Sequence, residues 1–216
     1  MKYFSAIILT ILLAGPVAAQ NEQAPIIEKP IAYKDWTYKN IRGGGETDLR
    51  EFASGKKLVI VVYWAPWCPN WRHDLEFVQA LHDKYASAGL GIIGVGLYDP
   101  TSSMKNHLEH FKLTFPAVYE TEKREARLTS THYMLRSEAG DSRKWGTPFY
   151  VFLDTATLKR SGDVLSEHTT LVSGELMRPE VEAYVQRKLG LSSEAVGLGV
   201  KSEVCEPSKV DVLKKP

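Results

Sequence analysis

Leu58-Val59-Ile60-Val61-Val62-Tyr63-Trp64-Ala65-Pro66-Trp67-Cys68-Pro69-Asn70-Trp71-Arg72 is the stretch on which the fold turns. Its first seven residues form an unbroken apolar run rich in β-branched side chains. Such a run predicts a strand covered on both faces in the middle of a sheet. Ala65 to Cys68 then reads as a loop, and Pro69 stands where a helix begins and a missing N–H costs nothing. Beyond it Trp71, Leu75, Val78, Leu81 and Tyr85 recur at helical spacing, so one stripe of that helix faces the sheet. Cys68 therefore falls where a buried strand hands over to a helix N-terminus. Unpaired amides and the helix dipole favour an anion there. A thiolate is such an anion, and it is the nucleophile in disulfide exchange. Trp64 and Trp67 are expected to shield the sulfur on one side and to offer an apolar surface to a substrate. This reading requires a sulfur within reach of solvent; a buried, inert cysteine is the alternative.

Working outward, Leu90 to Leu97 predicts a second buried strand and Asp99-Pro100-Thr101 caps a helix carrying Met104, Leu108 and Phe111. Phe115 to Tyr119 opens a third strand. A charged stretch, Glu120 to Lys144, precedes a strand at Phe149 to Leu153, for which a hairpin partner is expected around Gly162 to Leu165. Glu180 to Leu189 predicts a final amphipathic helix. On the N-terminal side, Asp35 to Ile41 reads as a strand, Arg42 to Glu46 as a glycine-rich turn and Leu49 to Ala53 as one helical turn. Asn21 to Pro30 reads as a loose lead-in. Strands alternating with helices, then a hairpin and a last helix, give an α/β fold with a central mixed sheet and helices on both faces.

The 216 residues begin with Lys2, an apolar run from Phe4 to Leu13 and Val17-Ala18-Ala19, the pattern of a signal peptide cleaved before Gln20. The expected organisation is a signal at 1–19, a lead-in at 20–34, one domain at 35–190 with an insert at about 120–145, and a polar tail at 191–216. An exported protein results, periplasmic in a Gram-negative host and otherwise secreted, with no stable membrane insertion after cleavage. With 27 basic against 26 acidic residues, nothing points to nucleic acid. No cofactor motif is read: the glycines at 43–45 lack the strand-to-helix context of a phosphate-binding loop. Two cysteines, Cys68 and Cys205, exclude a disulfide-rich scaffold, yet leave a structural staple between them as one option.

Trp64 to Arg72 resembles the active-site loop of thioredoxins, and the wider chain resembles the exported TlpA-like thiol-disulfide oxidoreductases. Arg72-His73-Asp74-Leu75, Leu113-Thr114-Phe115-Pro116 and Gly146-Thr147-Pro148-Phe149 carry the rest of that likeness. The resemblance implies a thioredoxin fold, thiol–disulfide chemistry at Cys68, and protein thiols, disulfides or a redox partner protein as partners. It implies a cis Pro148 facing Cys68, with Thr147 presenting backbone to an extended substrate. It also exposes two departures. The family's second cysteine falls at position 71, here Trp, and the buried acid of thioredoxins falls at Val62. Local resolution of a mixed disulfide is thereby lost, leaving Cys205 or an external thiol to resolve it. Asp74 matches an acidic position of the family and reads equally as a solvated carboxylate or a proton carrier.

Two other classes remain. One is a redox-inactive module that holds a partner peptide with Trp67, Trp71 and the Pro148 loop. The other is a peroxidase of the peroxiredoxin branch, disfavoured because Val61 and Ala65 replace that branch's Pro and Thr ahead of the cysteine. His107 and His110 share a helix face but lack a third ligand at motif spacing, so they read as solvated and no metal is assigned. The 120–145 insert is read either as a helical element leaning over the Cys68 side or as a solvent-facing decoration.

Overall fold

A computed structural model describes residues 22–191; the expected signal segment at 1–19, Cys205 and the rest of the expected tail lie outside them. In chain order the elements are strands β1 (Gln23–Ala24), β2 (Ile27–Lys29), β3 (Tyr33–Lys34), β4 (Thr37–Asn40) and β5 (Glu46–Asp48), helix α1 (Leu49–Ala53), β6 (Leu58–Trp64), α2 (Pro69–Tyr85), β7 (Leu90–Leu97), α3 (Thr101–His110) and β8 (Ala117–Thr121). Then follow α4 (Thr131–Glu138), β9 (Phe149–Asp154), β10 (Val164–Ser166), β11 (Thr169–Val172), β12 (Glu175–Leu176) and α5 (Arg178–Leu189).

β6 is the middle of an eight-stranded mixed sheet of order β2-β11-β9-β6-β7-β8-β4-β5. It runs parallel to β7 and antiparallel to β9, with Val62 opposite Gly94 on one side and Tyr63 opposite Phe149 on the other. Side chains alternate across a strand, and the core divides accordingly. Leu58, Ile60, Val62 and Trp64 join one buried cluster with Trp71, Leu75, Val78, Leu81 and Tyr85 of α2, Met104 and Leu108 of α3, and Val181 and Val185 of α5. Val59, Val61 and Tyr63 join the other, with Leu49 and Ala53 of α1 and Leu135 of α4. The predicted α2 stripe is the buried face of that helix. Two glycines of β7 mark close packing: a Cβ on Gly94 would come within 2.8 Å of the Trp64 indole nitrogen, and one on Gly96 within 2.4 Å of Met104 Sδ.

Three expectations are corrected. The neighbour of β9 is β11, not the 162–165 segment. β11 buries Leu171 and Val172 completely, whereas β10 buries only Leu165 among its residues and pairs with β3 instead. The segment expected as a lead-in carries β2, which extends the main sheet along β11, and β1, which pairs in parallel with β12. The strand expected over Asp35 to Ile41 is limited to Thr37–Asn40, because Asp35 Oδ1 accepts the Trp36 amide at 3.0 Å and the Trp36 indole turns back to Tyr33 Oη at 3.0 Å.

Candidate functional site

Cys68 is the N-cap of α2, with φ −77° and ψ 119°, and Pro69 is the first helical residue. The preceding loop is tied to the helix start: the Cys68 amide donates to Ala65 O at 3.1 Å, and Arg72 Nε and Nη2 donate to Pro66 O at 3.3 and 3.1 Å. Topology brings the end of β6 alongside the entry to β9. There Cys68 Sγ donates to the Thr147 carbonyl at 3.2 Å, and the Thr147–Pro148 peptide bond is cis. The Thr147 side chain is buried with its hydroxyl unpartnered.

The sulfur is more enclosed than the open thiol expected from its position. Cys68 is 5% exposed and belongs to the same buried cluster as Trp64, Ala65 and Trp71. The roles assigned to the aromatic residues change with this. Trp64 and Trp71 are both 0% exposed, so neither offers a surface to a partner. Trp71 points into the core and its indole donates to His107 Nε2 at 3.0 Å, while Trp64 stacks on the same imidazole at 5.2 Å. His107 is thus a core acceptor rather than part of a solvated face, and burial lowers its pKa to about 4, consistent with a neutral ring. Trp67 alone of the three remains partly exposed, edge-on to Trp145 at 5.1 Å with the Arg124 guanidinium over its ring at 5.3 Å.

Asp74 is not solvated either. Its Oδ2 accepts the Tyr150 hydroxyl at 2.7 Å and the Leu176 amide at 2.9 Å, and burial pushes its carboxyl above the ordinary range. It joins α2, β9 and β12, the elements around the site.

The charged stretch 120–144 folds into a 3₁₀ turn at Arg124–Leu128 and α4, which is capped by Ser130 accepting the Tyr133 amide at 3.1 Å. It is no surface decoration: His132 and Arg136 are 0% and 1% exposed. His132 stacks on Tyr63, with ring centres 5.0 Å apart, and bonds Tyr98 Oη at 3.0 Å through Nδ1 and Gly146 O at 3.2 Å through Nε2. Burial drives its pKa down to about 3. Arg136 Nη1 donates to Arg143 O at 2.7 Å, and Arg143 Nη2 donates to Pro148 O at 3.1 Å. The insert therefore holds the loop that meets Cys68. The sequence carried a signal for this: His132, Leu135, Arg136 and Ala139 are spaced as one helix face, and all four are buried. Two of them are His and Arg, residue types that count as solvent-facing in a hydropathy pattern.

Comparison with known proteins agrees with this architecture. A model of the AhpC/TSA family matches residues 27–147, from β2 to the Thr147 of the site. The thiol-disulfide oxidoreductase ResA of Geobacillus kaustophilus is 30% identical over 64 residues, which cover 30% of this chain and 37% of that protein. ResA of Halalkalibacterium halodurans is 26% identical over 77 residues, covering 36% of this chain and 43% of that protein. The chain thus matches less than half the length of these curated relatives. A solved thiol:disulfide interchange protein of the thioredoxin family from Chlorobium tepidum superposes with TM-score 0.52 at 19% identity, over 75% of this chain and 98% of that one. The fold is the thioredoxin fold. No helix among the described residues is long and apolar enough to cross a membrane.

Proposed function

The chain belongs to the AhpC/TSA family, and from that membership we propose that it performs thiol–disulfide exchange with Cys68 as its single attacking sulfur. The observation that carries this reading is the placement of Cys68 Sγ at a helix N-cap, 3.2 Å from the carbonyl of Thr147 beside cis Pro148. The thiol loses its proton to water, and the thiolate attacks one sulfur of a partner disulfide. A Cys68–partner disulfide forms as the partner's S–S bond breaks, and the partner's other sulfur leaves as a thiolate. Trp71 cannot complete the cycle, so a second thiolate must attack the mixed disulfide. An external thiolate that attacks the partner's sulfur takes over the mixed disulfide and frees Cys68 as a thiolate. Cys205, attacking the Cys68 sulfur instead, frees the partner as a thiolate and leaves a Cys68–Cys205 disulfide, which two equivalents of external thiol then reduce to restore Cys68. The partners are protein thiols or disulfides outside the cytoplasm, in keeping with the export pattern of residues 1–19.

The test is turnover of a quenched disulfide-linked peptide with a small thiol as second substrate. Loss of turnover in Cys68→Ser supports the reading, and Cys205→Ser slows the regenerating step only if that residue resolves. Equal rates for wild type and Cys68→Ser defeat it.

The burial of Cys68 favours one competing reading, a binding module without turnover. In that case Trp67 and the Pro148 loop would hold the partner, and Trp71, being enclosed, would take no part. Unmeasurable exchange together with retained partner binding selects that reading. Rapid peroxide consumption would instead point to the peroxidase class that Val61 and Ala65 argue against.

A further inference from the structure

Three elements meet around Cys68, and one residue of this chain touches all of them. The first is the start of α2, where Asn70 stands two residues beyond Cys68. The second is the loop before β9, where Arg143 holds Pro148 O and is itself held by Asp141, with Nε at 3.1 Å and Nη2 at 2.8 Å from the carboxylate oxygens. The third is β12. Glu22 accepts the Glu175 amide of β12 through its main-chain oxygen at 3.0 Å. Its Oε2 accepts a hydrogen bond from Asn70 Nδ2 and lies 3.8 Å from Arg143 Nη1. Gln23 and Ala24 continue as β1, in parallel register with Glu175 and Leu176. Asp141 holds the Nε and Nη2 side of the Arg143 guanidinium, while its Nη1 is a buried nitrogen without a hydrogen-bond acceptor and has the Glu22 carboxylate 3.8 Å away. Gly174, with φ +150°, permits this approach: a Cβ there would lie 2.3 Å from Glu22 O.

Glu22 to Ala24 thus does what an incoming peptide does when it adds a strand to an exposed edge, and it places a carboxylate between the two loops that meet at the Cys68–Thr147 contact. We propose that Asn70 and Arg143 form a carboxylate subsite that selects partners presenting an acidic residue in an extended segment, and that Glu22 is its resident occupant. The choice of disulfide-bearing partners rests on the exchange reading of Cys68; the subsite itself does not. A partner must displace Glu22, so acidic segments compete for a site that is already filled.

Fluorescence anisotropy with a labelled, cysteine-free extended peptide carrying Glu, and with its Gln counterpart, tests the subsite apart from the redox chemistry. In Glu22→Ala the Glu peptide is expected to bind about twofold to fivefold more tightly than the Gln peptide, the range of a partly screened ion pair. The preference shrinks as salt is added. Wild type, with Glu22 in place, binds the Glu peptide more weakly than Glu22→Ala does. Gly174→Ala, which pushes the main chain of Glu22 away but leaves Asn70 and Arg143 untouched, gives the same gain. Adding Asn70→Ala or Arg143→Gln to Glu22→Ala removes the preference; Asn70→Ala decides the matter should Arg143→Gln loosen the loop. Equal affinity for the two peptides in Glu22→Ala overturns the proposal, as does a preference that survives both second substitutions. Preference without exchange activity sinks only the redox reading, and exchange without preference sinks only the subsite.

Discussion

Replacing Trp71 by Cys would restore the local spacing of a thioredoxin-like dithiol, and it should damage the protein before it improves the chemistry. Trp71 is fully enclosed between Trp64, at a ring separation of 5.8 Å, and the imidazole of His107, to which it donates at 3.0 Å. Cutting a buried indole back to a small side chain costs about 3–5 kcal/mol through lost contacts and the cavity left behind. His107 Nε2 would also lose its donor in a site that keeps the ring neutral, adding about 1–3 kcal/mol. The two costs overlap because the cavity can admit water to His107, so a total of about 4–6 kcal/mol is expected. That is a large part of the roughly 5–15 kcal/mol that holds a domain together. Urea unfolding of Trp71→Cys under reducing conditions measures it, with Trp71→Phe as the partner variant expected to lose less because most of the volume stays. A reduced Trp71→Cys protein within about 1 kcal/mol of wild type would refute the claim that Trp71 is a core anchor rather than a vacated catalytic position.

Other outcomes follow from the same contacts. Gly146→Ala places a Cβ 2.4 Å from Arg136 Nε at φ +63°, and the combined strain and overpacking should cost about 2–4 kcal/mol in thermal or urea unfolding. Gly43→Ala, at φ +78° with open space around it, should cost only about 1 kcal/mol. His132→Leu leaves Tyr98 Oη and Gly146 O short of a partner and should lower stability by about 1–3 kcal/mol; slower exchange at Cys68 would accompany it if the Thr147 loop depends on α4. His107 and His132, with folded pKa values lowered to about 4 and about 3, take up protons on unfolding as the pH falls below their ordinary value of 6.5. Their stability contribution is therefore present above that pH and shrinks below it, by about 2–3 kcal/mol between pH 7 and 5.5 for the pair. Asp74 and Glu120, whose carboxyls are raised by burial, work in the opposite sense at lower pH. A urea midpoint that stays constant from pH 7 to 5.5 would contradict the neutral burial of both rings.

The centre of the fold could be read from residue pattern alone because β6 and α2 are long and their apolar periods are unambiguous. The rim could not. β10 and β11 are short, and only the burial of Leu171 and Val172 decides which of them lies beside β9. β1 and β2 carry too few residues to show a period at all. Within the site, Cys68 and the Thr147–Pro148 loop were identified by their likeness to a known motif, while their approach is a product of sheet order. The aromatic residues were misjudged because Trp next to a reactive cysteine suggests a recognition surface. A cysteine replaced by Trp instead brings a side chain that demands a core, and His107 supplies the acceptor. The buried face of α4 was hidden because two of its four members are His and Arg, enclosed only because carbonyls of the 141–146 loop receive them. Glu22 had no local signal, since its contacts are made with residues 48 and 153 positions away.

The exchange assignment is tested most directly by incubating the folded protein with glutathione disulfide and measuring its intact mass, followed by peptide mapping of the adduct. One glutathione is expected on Cys68 in a Cys205→Ser background, released again by added thiol, and none at that position in Cys68→Ser. A Cys68 that stays unmodified in the native protein yet reacts at once in denaturant would mean that the sulfur is sealed, and the assignment would fail.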